Sequence, residues 1–338
     1  MVWTVRAAFY KFRKNLVDLD PNITKDARDS RDYLFRQIKK LAREYSGFPE
    51  IESYPFIGFG SFARKTKIRP LDDIDFLVVL KGDDLAFDRK YSEPYTFCLY
   101  LPRRSTLSPQ SSWQKFADDN GLINSTKVLN KIKFALSGVS NYQKAEIKKT
   151  MQAVTLKLKS YEWNYDIVPA IPIYQNYKLL YFLIPNGRGD WIATNPKIDA
   201  DNTTDINLQH NGHFLPTLRL LKYWNGRIHK PKLSSYYFET LAIKVFQYRQ
   251  SITNLPHAVG RFFDLCPIYL RKTCPDPKNL GPNLDANLDW SEKEKVCKAM
   301  KNAASYASEA LQQEALSNYE DAIYYWQKVF GSNFPTYG

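Results

Sequence analysis

Two rhythms of apolar and polar positions run along this chain. Over residues 3–17 the apolar side chains Trp3, Ala7, Phe9, Tyr10 and Phe12 gather on one side of a helical projection, and Asp20-Pro21-Asn22 ends that helix. Thr24 is placed to cap a longer helix reaching about Tyr45, with Leu34, Ile38 and Leu41 at i, i+4 and i+7, and Gly47-Phe48-Pro49 stops it. The period then shortens. Tyr54–Gly58 reads as a short strand, residues 61–68 as a helical turn closed by Pro70, and Ile74–Leu80 as an apolar, β-branched strand. Ser108–Asn120 and Thr126–Leu136 read as helical. Ala153–Leu158 and Trp163–Val168 alternate like paired strands, and Leu179–Ile184 adds another.

Beyond Pro196 only the helical period persists, over residues 216–226, 235–250, 291–314 and 317–330. Residues 275–289 carry the Pro, Gly and Asn of a surface loop. The pattern predicts an α/β half over 1–195 and a helical half over 196–338. Trp3, Phe9 and Phe12 are expected to pack against the α/β core.

Composition narrows the class. Hydrophobic residues make up 44% and charged residues 25%, which excludes disordered and low-complexity chains. Lys and Arg outnumber Asp and Glu by 48 to 35, a formal charge of +13 that favours anionic partners such as nucleotides. The four cysteines, Cys98, Cys266, Cys274 and Cys297, form no disulfide framework, so a reducing cytoplasm is expected. Arg and Lys interrupt the apolar residues of the first 17 positions, unlike a signal peptide. No apolar run approaches the roughly 18 residues of a membrane span.

The chemistry concentrates in two segments. Gly58-Phe59-Gly60-Ser61-Phe62-Ala63-Arg64 precedes Asp72-Asp73-Ile74-Asp75 and its apolar run, with eleven residues between Ser61 and Asp73. Side chains alternate across a strand, so Asp73 and Asp75 share a face and repel unless a cation lies between them. Oxygen-only ligands suit Mg²⁺ or Mn²⁺. Asp166, in Tyr165-Asp166-Ile167-Val168-Pro169, offers a third carboxylate, enough for two ions roughly 4 Å apart. Asp72 ends the preceding loop. Gly60 lets the backbone approach a phosphate, and the Ser61 hydroxyl is a donor to its oxygens.

This ordered set resembles the DNA polymerase β-like nucleotidyltransferases, and within them the bacterial CD-NTases, relatives of cyclic GMP-AMP synthase and oligoadenylate synthase. The likeness extends over nearly the whole chain. Ile184–Trp191 and Thr194-Asn195-Pro196 resemble the family's connection between lobes. Phe214–Asn225 resembles its R-L-x-K-x-W helix, Ser234-Ser235-Tyr236 its donor-nucleotide segment, and Trp326, Phe330-Gly331 and Phe334-Pro335 its ending. Lys65 departs from the pattern, where a glycine commonly follows.

The resemblance implies an α/β (α+β) fold: a nucleotidyltransferase core with a mixed sheet plus a helical C-terminal lobe, and the active site in the cleft. It implies a cyclic oligonucleotide synthase that joins ATP, GTP or other NTPs, releases pyrophosphate and signals to a downstream effector in anti-phage defence. Two Mg²⁺ or Mn²⁺ ions would be held by Asp73, Asp75 and Asp166, with Asp166 helping to remove the acceptor proton. Gly60, Ser61, Lys222, Ser235 and Tyr236 would bind nucleotide. On the helix from Pro216, Arg219 and Lys222 form a cationic stripe beside Leu218, Leu221 and Trp224. Lys230-Pro231-Lys232 leads into Ser235 at a helix N-terminus, and Tyr236 is able to stack on a purine. The competing reading makes Ser235 a cap and Tyr236 a core residue. Alternative functions on the same fold are transfer to RNA ends or a protein hydroxyl, or a non-catalytic nucleotide sensor.

Other groups weigh less. The spacings of His257, Cys266 and Cys274 match no zinc pattern. His210, His213 and His229 read as surface groups. Lys127, Lys131, Lys133, Lys144, Lys148 and Lys149 read as a solvated basic face, and no nucleic-acid activator is expected. The carboxylate of Gly338 is expected to be exposed and mobile, which suits a ubiquitin-transfer-like partner that joins it to an amine. No membrane partner is expected.

Overall fold

The computed structural model describes residues 1–102, 111–227, 231–248 and 250–338. His229, Lys230 and the first part of the helical segment expected from Ser108 lie outside the described residues. In chain order the elements are α1 (Val5–Phe12), α2 (Pro21–Glu44), β1 (Ile51–Phe59), the single turn α3 (Gly60–Ala63), β2 (Asp73–Leu80), β3 (Ala86–Arg89), β4 (Thr96–Tyr100), α4 (Ser125–Ser137), β5 (Glu146–Thr150), β6 (Ala153–Lys157), β7 (Asn164–Gln175), β8 (Lys178–Pro185) and β9 (Trp191–Thr194). Six helices follow: α5 (Pro196–Gln209), α6 (Phe214–Arg227), α7 (Ser235–Phe246), α8 (Leu255–Leu270), α9 (Trp290–Ala315) and α10 (Tyr319–Phe330). Of the helical segment expected over 108–120, the described part holds only a 3₁₀ turn at Gln114–Phe116.

Local chemistry sets several boundaries. The Asn124 side chain accepts from the N–H groups of Thr126 and Lys127 and starts α4. Asp289 and Glu292 form a capping box at the head of α9. Helix α8 buries Val259, Phe263, Cys266 and Leu270 at helical spacing, and Pro267 lies inside it; a proline within the run speaks against a helix in sequence, and none is expected there.

The chain divides into two compact units. One comprises Pro21–Ala63 and Leu71–Lys197; the other comprises Met1–Asp20, Arg64–Pro70 and Ile198–Gly338. The first holds one mixed sheet in the order β1-β2-β7-β8-β9-β4-β3, with the β5-β6 hairpin added beside β7. Among the described residues only β2 and β7 run parallel; the other pairs are antiparallel. Leu77, Val79, Val168, Ala170, Phe182 and Ile184 form a core cluster in this unit.

In the second unit one large core joins α1 to the C-terminal helices. Phe9 meets Trp326 and Phe334 edge-on, at 4.9 and 5.2 Å between ring centroids. Phe12 meets Tyr223 at 4.9 Å. This corrects the expectation that Phe9 and Phe12 pack on the α/β core: sequence position put them there, but their aromatic partners, Tyr223, Trp326 and Phe334, come from the helical part of the chain. Trp3 is exposed and packs against the Tyr337 ring. Residues 1–20 and 64–70 thus fall with the helices rather than with the α/β half.

The final residue is exposed but tied down. Val2 donates its N–H to the Gly338 carbonyl at 3.1 Å, and Gly338 donates to the Val2 carbonyl at 3.0 Å. The expectation of a mobile end is corrected by this backbone pairing. His210, expected at the surface, is also buried. Its Nδ1 accepts from Ile252 N–H and its Nε2 donates to the Phe246 carbonyl, each at 3.2 Å, which satisfies a neutral ring. His213 and His257 are exposed, whereas Cys266 and Cys274 are buried in the helical core.

Candidate active site

The carboxylates are arranged by the register of three strands. Asp75 lies opposite Asp166 across the parallel β2–β7 pair, and Asp73 lies opposite Asn164. Thr155 of β6 lies opposite Asp166 on the other edge of β7. Directly paired residues share a face, and alternation puts Asp73 and Asp75 together, so the three carboxylates stand on one side of the sheet. Apolar Ile74 and Phe76, pointing the other way, are buried. The Thr155 hydroxyl donates to Asp166 Oδ1 at 2.6 Å and orients that carboxylate. Among the described residues no three His, Cys, Asp or Glu side chains converge into a preformed metal cage.

Gly60 and Ser61 join this set. Phe59 is the register partner of Asp75, so the chain leaving β1 passes beside that carboxylate. A Cβ at Gly60 would stand 1.9 Å from Asp75 Oδ2, and Gly60 has φ +71°. Both facts demand glycine: the left-handed backbone disfavours a side chain, and the backbone approach leaves no room for one. Ser61 follows in α3. The Gly-Ser turn and the D-x-D pair, one ordered set in the sequence, are therefore neighbours in the fold.

The residues assigned to nucleotide on the helical unit form a second constellation. Lys222 of α6 is buried, and its Nζ donates to Glu239 Oε1 of α7 at 2.6 Å. Arg64 donates to Glu239 Oε2 at 3.0 Å, and the Thr66 hydroxyl reaches both carboxylate oxygens. Burial pulls the Lys222 ammonium below the ordinary lysine range, against the attraction of Glu239. Glu239 was not singled out from sequence. Its signal was available: an acidic residue one turn into a helix whose neighbours Phe238 and Leu241 are apolar and buried.

Arg219, read with Lys222 as a cationic stripe, is engaged by other partners than Lys222. It donates to Asp18 Oδ1 at 2.7 Å and to the Lys65 carbonyl at 2.9 Å. Lys65 itself has φ +60°. The position has a left-handed backbone, the conformation that glycine adopts most readily, and Arg219 binds its carbonyl.

Ser235 is exposed and opens α7, with Ser234 as the cap residue. Tyr236 donates its hydroxyl to Asp199 Oδ1 at 2.7 Å and also lies 3.2 Å from Asp276 Oδ1. Lys278 donates to the Tyr236 hydroxyl oxygen at 2.6 Å and stands 3.9 Å from the ring centroid. One face of the ring is thus covered by an ammonium group. Burial and then the Asp199 carboxylate push the phenol well above its ordinary range.

In the sheet unit, the basic residues named from sequence are partly engaged. Lys127 donates to the Ala117 carbonyl, Lys131 lies 4.8 Å from the Tyr45 ring centroid, and Lys148 pairs with Glu146. Among the described residues no helix is long and apolar enough to cross a membrane.

No family profile matches the chain. It is 35% identical over 339 residues to a probable cyclic nucleotide synthase of Bacillus cereus strain VD146, covering 100% of this chain and 99% of that protein. It is 23% identical to the cyclic AMP-AMP-AMP synthase of Escherichia coli strain MS 115-1, covering 96% of each. Among solved structures, the fold matches E. coli MS115-1 CdnC with ATP at a TM-score of 0.70 and 21% identity, over 97% of this chain and 98% of that one. It also matches the Vibrio cholerae DncV cyclic AMP-GMP synthase holding a linear intermediate, at a TM-score of 0.65 and 11% identity, over 100% and 98% of the two chains. The fold is that of a polymerase β-like nucleotidyltransferase, as the motifs implied. Because the 35% identity runs the length of both chains, the relationship is one of family and not of fold alone: this chain belongs to the bacterial CD-NTases, the nucleotidyltransferases that synthesise cyclic nucleotides.

Proposed function

We propose that the protein joins NTPs, ATP among them, through phosphodiester bonds with pyrophosphate release, and closes the product into a ring. ATP is favoured because the E. coli relative of similar length is named for an all-adenine product. The observation that carries the reading is the alignment of Asp75 with Asp166 across β2 and β7, with Gly60 pressed against the Asp75 carboxylate.

Asp73, Asp75 and Asp166 suit a pair of divalent cations: they are hard oxygen donors on one face of the sheet. Bound Mg²⁺ or Mn²⁺ there supplies charge neutralisation of the phosphates and a lowered pKa for the acceptor ribose hydroxyl. Asp166, oriented by Thr155, accepts the proton of that hydroxyl as its oxygen attacks the α-phosphate. The backbone at Gly60 and the Ser61 hydroxyl hold the donor phosphates in line. On the helical unit, Lys222 and Ser235 are assigned to the triphosphate and Tyr236 to the base. The cyclic product acts on a downstream effector in phage defence. A protein partner is also in keeping with the solved CdnC:HORMA complex.

The test is incubation of purified protein with mixed NTPs and Mg²⁺, followed by phosphatase and mass spectrometry. The wild type should yield phosphatase-resistant cyclic product without added RNA or protein. The Asp73→Asn/Asp75→Asn double variant should yield none while keeping the fold. Product at the wild-type rate from that variant overturns the site.

A further inference from the structure

The sheet register lays out a grid of polar side chains that extends past the three carboxylates. One row across the strands is Asp75, Asp166 and Thr155; the next is Asp73, Asn164 and Lys157. Asn164 is thus to Asp73 what Asp166 is to Asp75. The β7 segment Asn164-Tyr165-Asp166 repeats, beside it, the spacing of Asp73-Ile74-Asp75 on β2.

Asn164 has a second peculiarity. Its backbone N–H is satisfied by the Asp72 carbonyl at 2.9 Å, but its side-chain Oδ1 is buried and makes no hydrogen bond among the described residues. A buried acceptor left without a donor is destabilising, and such groups are rare in folded proteins. Tyr165, one residue on, faces the opposite way and is fully satisfied: its hydroxyl donates to Ser30 and accepts from Trp163. The orphan therefore does not reflect a general lack of partners at this end of β7. It sits on the carboxylate face, next to Asp73.

An amide oxygen is a hard, neutral donor of the kind that Mg²⁺, Mn²⁺ and Ca²⁺ accept. A neutral ligand adds coordination without adding to the repulsion among three carboxylates. It would also explain why an unsatisfied oxygen is kept there. We propose that Asn164 is a further oxygen donor of the divalent-cation site, acting beside Asp73 through Oδ1. This rests on the reading of Asp73, Asp75 and Asp166 as that site.

The experiment is Mn²⁺ titration of the purified full chain without nucleotide, followed by electron paramagnetic resonance of free Mn²⁺, with thermal melts in parallel. Asn164→Ala and the near-isosteric Asn164→Leu should weaken Mn²⁺ binding about tenfold, the lower range for losing a group that supports a metal site. Both should melt in metal-free buffer at or above the wild-type temperature, because they remove an unsatisfied acceptor. Asn164→Asp, which keeps the oxygen, should retain Mn²⁺ binding. The proposal is overturned if Asn164→Ala and Asn164→Leu bind Mn²⁺ within twofold of wild type while Asp73→Asn does not. It is also overturned if the metal-free melts of both drop well below wild type, which marks a packing role. If the Asp73→Asn/Asp75→Asn variant also binds Mn²⁺ like wild type, the carboxylate site itself fails, and this proposal with it.

Discussion

Replacing Gly60 with alanine tests the site at its tightest point. The added Cβ would lie 1.9 Å from Asp75 Oδ2, 2.7 Å from its Cγ and 3.1 Å from its Cβ. Relief requires a shift of about 1 Å, and the carboxylate, the nearest and freest of these groups, is what moves. A misplacement of that size in a catalytic constellation costs on the order of 100-fold in rate. That is about 2.7 kcal/mol of transition-state stabilisation. The backbone adds a separate cost, because alanine at φ +71° is disfavoured by about 1–2 kcal/mol. The two costs separate with a control. Gly212 has φ +82° with nothing within 4 Å of its added Cβ, so Gly212→Ala carries the backbone cost alone. Steady-state pyrophosphate release from saturating NTPs, with melting temperatures alongside, is the assay. Both variants should melt lower by similar amounts, and only Gly60→Ala should lose about 100-fold in kcat. If Gly60→Ala turns over within threefold of wild type, the close approach to Asp75 has no bearing on catalysis and the reasoning fails.

Other expectations follow from the helical unit. Glu239→Ala leaves Lys222 and Arg64 buried without their carboxylate and should lose about 3–5 kcal/mol of stability, whereas Lys222→Met/Glu239→Leu should recover much of it. Equal losses in the single and double variants would contradict the pairing. Lys222→Ala and Ser235→Ala should raise KM for NTP more than they lower kcat; unchanged KM values would move the triphosphate elsewhere. Tyr236→Phe should lower stability by about 1.5–3 kcal/mol, since its hydroxyl bonds to charged groups, yet leave KM within twofold, while Tyr236→Ala raises KM. A large KM rise in the Phe variant would give the hydroxyl a binding role. Burial lowers the pKa of His210 below 6.5. Between the lowered folded value and 6.5 the unfolded chain binds more protons, so this stability is complete above about pH 6.5 and is lost as pH falls through the folded value. His210→Asn should flatten the melting-temperature profile between pH 7.5 and 5, and an unaltered profile would contradict a neutral buried ring.

The sequence carried whatever is written within a few residues. Helices α2, α4, α6, α9 and α10 announce themselves by apolar stripes, and β2 by its β-branched run, because these depend on neighbours along the chain; the cap expected at Thr24 instead lies inside α2, which begins at Pro21. The D-x-D face is legible for the same reason: alternation alone puts Asp73 and Asp75 together. Elements lacking a local signature were missed. Helix α8 carries Pro267 in its interior, α5 is rich in Asn, Asp and Thr, and β3, β5 and β9 are four or five residues long. Tertiary structure alone decided the rest. That Asp75 meets Asp166 and that Asn164 meets Asp73 are matters of register between strands about ninety residues apart in the chain, and a slip of one residue would turn each pair to opposite faces. That Lys222 is bound to Glu239 instead of standing in water, and that α1 packs with α10, follow from which surfaces bury each other. Burial is a property of the whole fold, so no window of sequence contains it.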